Sequence, residues 1–255
     1  MNILFIGDVV GRPGRNYLSR NLPRLIEENS IDFTIVNGEN SAGGIGITKN
    51  TYDELVSLGI DMITLGNHSW VKKEILEFIE ESDKLVRPAN YPNGAPGMGY
   101  RIAEKSGRKI AVINLCGRVY MDCIECPFKT IDAILSDIKE KADIIIVDFH
   151  AEATSEKLAM GWYLDGKVHA VLGTHTHVQT SDERILPCGT AYITDVGMTG
   201  PKESVLGVEK ETVIRKFMTG MPARFEVAGG EAGIGAAKIQ LDDSNKVIGI
   251  NRIME

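Results

Sequence analysis

The chain lacks the segments that mark an exported or membrane-anchored protein. None of its apolar runs approaches the roughly 18 residues that are needed to cross a bilayer. The N-terminus, MNILFIGDVV, has no basic segment followed by a long apolar stretch, so it is not a secretory signal. We therefore predict a cytoplasmic protein without membrane contact.

The chain also lacks an excess of positive charge. Its 28 Lys and Arg residues against 35 Asp and Glu residues give a formal net charge of −7 at pH 7. No counter-charge is therefore available for a broad surface that binds nucleic-acid duplexes or anionic membranes. Small phosphorylated ligands remain compatible with this charge, because a bound metal can supply positive charge locally.

Cysteine is scarce, with four residues in the chain. Cys123 and Cys126 have the C-x-x-C spacing of half a zinc ribbon or of a redox pair. A structural zinc site needs a second close pair, which Cys116 and Cys188 do not make. We assign the cysteines no chemistry. No linker, low-complexity segment or repeat divides the sequence, so residues 1–255 are predicted to form one domain.

Apolar runs and amphipathic stretches alternate along the first two thirds of the chain. Strands are predicted at 2–6, 33–37, 61–65, 100–104, 109–115, 143–149 and 168–173. Helices are predicted at about 13–28, 48–58, 70–81, 128–140 and 155–163. From 184 onward come short β-like runs, including 223–228, 235–241 and 246–253, interrupted by a helical stretch at about 205–218. A βαβ-like first part and an antiparallel last part predict an α/β fold, a two-sheet sandwich flanked by helices.

Five of the apolar runs end in groups that can bind a metal. These groups are Asp8, Glu39-Asn40, Asn67-His68, His150 and His175-x-His177, which include four of the five histidines. Alone, each has an ordinary explanation: a turn cap, a turn residue, a core histidine or a surface accident. Together they predict one metal centre, because the carboxyl ends of strands in one sheet share an edge. His169 lies inside its run and is interpreted as structural.

The number of candidate ligands predicts two metal ions. The set exceeds what one ion can take, and a shared carboxylate commonly holds two ions about 3.5–4 Å apart. Mixed oxygen and imidazole ligands favour iron or manganese, with zinc as a further candidate, over calcium.

Six motifs resemble those of a known family. They are GDVVGRPGR (7–15), NGENSAGG (37–44), GNHSW (66–70), DFHAE (148–152), GTHTHVQT (173–180) and TDVGMTGP (194–201). Their order is similar to that of the calcineurin-like metallophosphoesterases and, more closely, to the YmdB-like subfamily. The resemblance implies a four-layer α/β/β/α double β-sandwich. It also implies a phosphodiesterase that converts a small-molecule phosphodiester, a 2′,3′-cyclic nucleotide, to a 3′-nucleotide through a metal-bridging hydroxide.

The resemblance also implies roles for single residues. Glu39 matches the bridging carboxylate, and His68 matches the residue that assists the leaving group. Asp8 and His177 match ligands of the first metal, and Asn67, His150 and His175 match ligands of the second. The wider family has a metal-binding histidine where this chain has Val10, and Asn40 is the substitute. Ser69 stands where the wider family often has an acid, so the group that orients His68 is left open.

Alternative functions remain open at this point. A phosphomonoesterase or a protein phosphatase would use the same centre, and a metal-binding regulatory protein with weak catalysis would not need His68. A di-iron redox protein is disfavoured, because its usual helix-borne Glu-x-x-His motifs are absent. The sequence leaves the oligomeric state open, a homo-oligomer included.

Overall fold

A computed structural model describes residues 1–255 as fifteen strands, five α-helices and one 3-10 helix. The strands are β1 (Asn2–Ile6), β2 (Asp8–Val9), β3 (Phe33–Asn37), β4 (Met62–Thr64), β5 (Leu85–Val86), β6 (Tyr100–Lys105), β7 (Arg108–Cys116), β8 (Ile144–His150), β9 (Ala170–Thr174), β10 (Arg184–Ile185), β11 (Ala191–Ile193), β12 (Met198–Pro201), β13 (Ala232–Gly233), β14 (Gly235–Leu241) and β15 (Val247–Met254). The helices are α1 (Gly11–Asn29), α2 (Lys49–Ser57), α3 (Pro127–Ile138), α4 (Thr154–Leu164) and α5 (Lys210–Thr219), with the 3-10 helix at Lys73–Glu77. No helix has both the length and the apolar character that a membrane span requires.

The strands form two six-stranded sheets and one small sheet. The first sheet has the order β15-β14-β1-β3-β4-β5, and its strands β1, β3, β4 and β5 are parallel. The second has the order β10-β11-β9-β8-β7-β6, with β7, β8, β9 and β11 parallel. The small sheet, β13-β12-β2, joins the segment after β1 to the segment after β11. The parallel strands of each large sheet therefore direct their carboxyl ends to one edge.

Three hydrophobic clusters show how the layers stack. Between the two large sheets, Phe5 and Phe33 pack with residues of β7, β8 and β9 such as Ile146. The outer face of the first sheet packs against α1, α2 and the 3-10 helix. The outer face of the second sheet packs against α3 and α4. This arrangement confirms the predicted four-layer α/β/β/α sandwich.

The start of α2 follows from local sequence. Thr48 has an extended backbone, and its side chain accepts a hydrogen bond from the amide of Thr51. The Thr51 hydroxyl accepts from the Thr48 amide at 2.9 Å in return, which completes a capping box. The prediction of a helix beginning after Thr48 is confirmed.

The predicted helix at 70–81 is wrong. The segment contains turns and the short 3-10 helix, in which the amide of Ile75 donates to the carbonyl of Lys72 at 3.0 Å. Ile75, Phe78 and Ile79 are buried as their spacing suggested, but Val71 is exposed. Apolar positions three and four residues apart suit successive tight turns as well as an α-helix. The pattern therefore predicts which side chains are buried but not the backbone conformation.

The prediction for the last third of the chain is partly wrong. Residues 223–228 form no strand, and only Val227 makes an isolated bridge, to Val208. The helix expected from about 205 begins at Lys210, because Leu206 and Gly207 both have positive φ and cannot continue it. β14 and β15 are antiparallel as expected, whereas β11 joins the second sheet parallel to β9.

Candidate metal centre

The predicted site residues converge at the carboxyl ends of the parallel strands. A cleft of 480 Å³ opens there, lined among others by Glu39, His68 and His177. Asp8 and His150 are fully buried. All eight sequence-predicted residues lie in one connected group of contacts: Asp8, Glu39, Asn40, Asn67, His68, His150, His175 and His177.

One set of donor atoms is centred on the Nε2 atom of His150. This nitrogen lies 3.0 Å from Glu39 Oε1, 3.0 Å from His175 Nδ1 and 3.0 Å from Asn67 Oδ1. The ligand atoms of Glu39, His150 and His175 all lie within 4.8 Å of one another. Metal–ligand distances of about 2.0–2.2 Å place neighbouring donors roughly 3 Å apart around one ion. The donor spacing therefore fits a transition-metal ion.

A second set of donors also adjoins Glu39. The Nε2 atom of His177 is 3.7 Å from Asp8 Oδ1 and 3.1 Å from the amide nitrogen of Asn40. That amide nitrogen is also 3.3 Å from Glu39 Oε1. The Asn40 amide thus lies among three possible ligands. A cation here would need its oxygen rather than its nitrogen, so the two ends of the amide would exchange places.

The structure identifies the groups that orient His68. Its Nδ1 atom lies 3.0 Å from Asn40 Oδ1 and 3.3 Å from Glu39 Oε1. Its backbone amide donates to Glu39 Oε2 at 3.0 Å. The side chain is 31% exposed, and no hydrogen bond engages Nε2, so this nitrogen remains available to a ligand in the cleft. Glu39 and Asn40, which follow β3, therefore position His68 in this structure, a role that the sequence left open.

Two residues without a predicted role, Thr174 and Asp148, hold His150 in place. Its Nδ1 atom is 2.8 Å from the hydroxyl of Thr174, which donates to Asp148 Oδ1 at 2.6 Å. The hydroxyl proton is committed to Asp148, so Nδ1 of His150 is the donor, and in the neutral imidazole the lone pair lies on Nε2, where a metal can bind. A signal was present in the sequence, because Asp148 and His150 are two residues apart and point to the same face of β8.

The loop that carries His175 and His177 has an unusual backbone. Both residues have positive φ, 99° and 64°, which non-glycine residues seldom adopt. Asp195 holds the loop by accepting hydrogen bonds from the amide and hydroxyl of Thr176, at 3.0 and 2.8 Å. Lys157, also fully buried, pairs with Asp195 at 2.6 Å. Asp195 lies in the motif at 194–201, but the sequence predicted no role for Asp195 or Lys157.

Charge within the buried cluster shifts several pKa values. Burial disfavours the imidazolium of His150, yet the charge and hydrogen bond of Glu39 raise its pKa to about 9. Burial and the positive charge of His150 lower the pKa of His175 to about 4. Burial opposes ionisation of Glu39 as well, but His150 and His68 hold its pKa well below the usual range. Near neutral pH the metal-free cluster therefore keeps its carboxylate charged and carries a compensating proton on His150.

Comparison with known proteins places this architecture in a family. A model described as YmdB-like protein matches residues 4–253. The chain belongs to the YmdB-like family. A Bacillus subtilis protein named 2′,3′-cyclic-nucleotide 2′-phosphodiesterase is 51% identical to it over 255 residues, which cover 100% of this chain and 97% of that relative.

Solved structures agree with this assignment of the YmdB-like chain. A Thermus thermophilus hypothetical protein is 43% identical, with a TM-score of 0.94 over 100% of this chain and 99% of its own. A Mycoplasma pneumoniae protein described as a novel phosphatase is 38% identical, with a TM-score of 0.95 over 100% and 93%. The 5′-nucleotidase precursor of Thermus thermophilus is 11% identical, with a TM-score of 0.60 over 100% of this chain and 54% of its own, and shows a shared fold.

Proposed function

We propose that this chain is a dinuclear metal-dependent phosphodiesterase that hydrolyses 2′,3′-cyclic nucleotides to 3′-nucleotides. The observation that carries the proposal is the convergence of two donor sets on Glu39 beside a cleft that exposes His68. The name of the Bacillus subtilis relative, which is 51% identical over the whole chain, supports this substrate class. The first and last parts of the chain meet where β1 pairs with β14, which supports a single domain over residues 1–255.

In this proposal Glu39 bridges two ions. Asp8, Asn40 and His177 hold the first, and Asn67, His150 and His175 hold the second. The 3.0 Å spacings around His150 Nε2 support the second set, and the placement of the Asn40 amide between Asp8 and His177 supports the first. Iron or manganese suits these mixed oxygen and imidazole donors best, with zinc as a further candidate.

The chain's own residues supply positioning and a proton. Two bound ions would supply an activated water near neutral pH and neutralise charge on the phosphoryl oxygens. Glu39 Oε1 lies 3.3 Å from Nδ1 of His68, so a protonated His68 can donate from Nε2 to the departing 2′ oxygen. Asp148 acts through Thr174 to keep the His150 lone pair on Nε2.

The charges of the cleft favour a diester over a monoester. No Lys or Arg side chain lines it, and two carboxylates besides Glu39 do, those of Glu152 and Glu226. A phosphomonoester carries nearly two negative charges at pH 7, whereas a diester carries one. With no Lys or Arg side chain in the cleft, the more highly charged monoester gains less electrostatic stabilisation from the protein.

The test is a substrate panel with metal-loaded protein. We expect 2′,3′-cyclic AMP to be hydrolysed faster than 3′,5′-cyclic AMP or 3′-AMP, and chromatography to identify the product as 3′-AMP. His68→Ala protein prepared in parallel controls for contaminating hydrolases. Faster hydrolysis of 3′-AMP would establish a phosphomonoesterase instead, in line with the description of the Mycoplasma pneumoniae protein as a phosphatase. No turnover of any ester by protein that holds both ions would establish a regulatory metal-binding protein.

A further inference from the structure

Part of the lining of the cleft is apolar, in contrast to the polar donor sets. This apolar wall consists of Ile45, Leu206, Val208, Phe225 and Val227. We propose that the wall binds the base of the cyclic nucleotide and that Phe225 is the residue on which the base stacks. The inference rests on the proposed function and deepens it, because it assigns a binding surface to the base, the part of the substrate that does not react.

The exposure of the wall indicates a ligand-contact surface. Ile45 is 37% exposed, Leu206 48% and Phe225 46%, although they adjoin a densely packed site. Apolar and aromatic side chains that line a cleft beside a few polar groups are typical of small-molecule sites. The cleft volume of 480 Å³ lies within the range of about 300–1,000 Å³ that is usual for small-molecule sites.

The wall is anchored before any ligand binds. Val227 pairs with Val208, and the amide of Ala228 donates to the carbonyl of Gly207 at 2.9 Å. A Cβ atom at Gly44 would lie 2.6 Å from Val227 Cγ2, so the 41–46 loop packs directly against the wall and has no room for a side chain there. A preorganised surface of this kind binds a ligand without first paying for its own ordering.

The wall is also connected to the donor sets. The carbonyl of Leu206 accepts a hydrogen bond from Nδ1 of His177 at 3.0 Å. This contact holds the His177 ring with Nε2 directed to Asp8 and Asn40. A base on the wall and a phosphate at the donor sets would therefore lie on two parts of one continuous surface.

Phe225 is the only aromatic residue that lines the cleft besides the histidines. The ammonium group of Lys216 lies 4.6 Å from the centre of its ring, and the side chain is 46% exposed, so part of the ring surface is available to a ligand. Every nucleobase has a flat face that stacks on an aromatic ring, whatever its hydrogen-bonding pattern. The wall is thus suited to purine and pyrimidine nucleotides alike.

The test compares substrates that differ only beyond the reacting ring. Glycerol 1,2-cyclic phosphate has the same five-membered cyclic diester as 2′,3′-cyclic AMP and has no base. We expect Phe225→Ala to lower kcat/KM for 2′,3′-cyclic AMP about tenfold, mainly through KM, as expected for one lost stacking contact. Turnover of glycerol 1,2-cyclic phosphate should not change. Phe225→Trp should keep the preference for the nucleotide.

Phe217→Ala is the matched control. It removes an aromatic side chain that is 83% exposed on the neighbouring helix and does not line the cleft, so both substrates should be turned over normally. An equal loss of both activities in Phe225→Ala, or no loss of either, would overturn the inference. Loss of both together with a changed sedimentation coefficient would assign Phe225 to a subunit contact and also overturn it.

The outcomes separate this inference from the function on which it rests. If wild-type protein hydrolyses both cyclic diesters and Phe225→Ala has no selective effect, the phosphodiesterase function stands and the base site is rejected. If metal-loaded wild-type protein hydrolyses neither cyclic diester, the function itself is rejected, and the base site with it.

Discussion

Glu39 is the residue on which the two donor sets depend. It is buried, and one of its oxygens contacts both His150 and His68. Glu39→Gln should abolish activity and remove most of the metal, because a neutral amide cannot bridge two cations. Elemental analysis of purified variant and wild-type protein measures the loss. Glu231→Gln, the same change at a surface ion pair with Lys202, should leave metal and activity intact. Full metal content with normal turnover in Glu39→Gln would refute the bridging role.

His68 contacts Glu39 and Asn40 but does not belong to the closest donor group. His68→Ala should lower kcat by roughly 10²–10⁴-fold, the loss expected for one general acid. Metal content should stay at the wild-type level, because neither donor set loses a member. Loss of an ion in this variant, seen by elemental analysis, would mean that His68 is a ligand.

Asn40 contacts Asp8, His177 and His68. A neutral amide oxygen is a weaker donor for transition metals than the histidine of the wider family, so Asn40 should hold the first ion more weakly than an imidazole would. Asn40→Ala should weaken the binding of one ion and leave the ion held by Asn67, His150 and His175 in place. Metal titration followed by anomalous diffraction measures which ion is lost. Two ions at unchanged affinity would show that another group completes the first set.

At the residue scale, the sequence predicted the candidate metal ligands but not the residues that hold these ligands in place. Metal-binding residue types at strand ends are visible in the order of the chain, and the structure brings all of the predicted ones together. Asp148 shows why the supports were missed: it accepts hydrogen bonds from Asn37, Thr64 and Thr174, which are 111, 84 and 26 residues away. The contacts with Asn37 and Thr64 arise only when the two sheets stack, and the contact with Thr174 arises only when β8 pairs with β9.

At the scale of the elements, the turn after β4 is fixed by a glycine. A Cβ atom at Gly66 would lie 2.3 Å from Glu39 Oε2 and 2.4 Å from His150 Nε2. Gly66→Ala should therefore displace both donors and reduce metal affinity and activity while the sheets still form. Gly229→Ala, where a Cβ atom meets nothing within 4 Å, is the control. Circular dichroism and metal titration of both variants measure fold and site separately. Wild-type metal affinity in Gly66→Ala would show that the turn can relax.

The elements that the sequence predicted well are those in which the apolar residues recur with one dominant period. The buried strands β1, β3 and β8 and the helices α1 to α4 lie close to their predicted bounds. The predictions for 70–81 and 223–228 were wrong because the backbone conformation of these segments is determined by other contacts. Ser69 donates to the carbonyl of Gly66 at 2.6 Å and begins a series of turns. Val227 is held by packing against Gly11 and Gly44.

For the whole molecule, the layer order followed from the sequence because alternating strands and helices leave few compact arrangements. Family membership, confirmed over residues 4–253, rests on the motifs at the strand ends. The sequence did not show that the last two strands, β14 and β15, extend the first sheet beside β1. β14 pairs with β1 across the full length of the chain, in a register that places Ala237 opposite Phe5.

Metal binding should stabilise the whole molecule, because the donors come from strands of both sheets and are together only when these are stacked. An ion that binds the folded state alone raises stability by mass action, by about 2.7 kcal/mol at 100 times the dissociation constant. A chelator should therefore lower Tm and abolish activity, and manganese or iron should restore both. An unchanged Tm after complete removal of metal would contradict this coupling.

The proton on His150 makes this coupling depend on pH. The pKa of His150 is raised from 6.5 to about 9 in the metal-free protein, so its contribution to stability is complete below pH 6.5 and is lost as the pH rises through 9. A metal ion needs the neutral imidazole and must displace that proton. His175, with a pKa lowered to about 4, is already neutral at pH 7 and releases none.

Metal affinity should therefore increase from pH 6.5 to 9, and binding at pH 7 should release at least one proton per chain. Titration calorimetry in two buffers with different heats of ionisation counts these protons, and the number should fall as the pH is raised above 9. His150→Asn should remove one released proton and weaken the second ion. Binding at pH 7 without proton release would show that His150 is already neutral in the metal-free protein, and that the negative charge of Glu39 is balanced by another group.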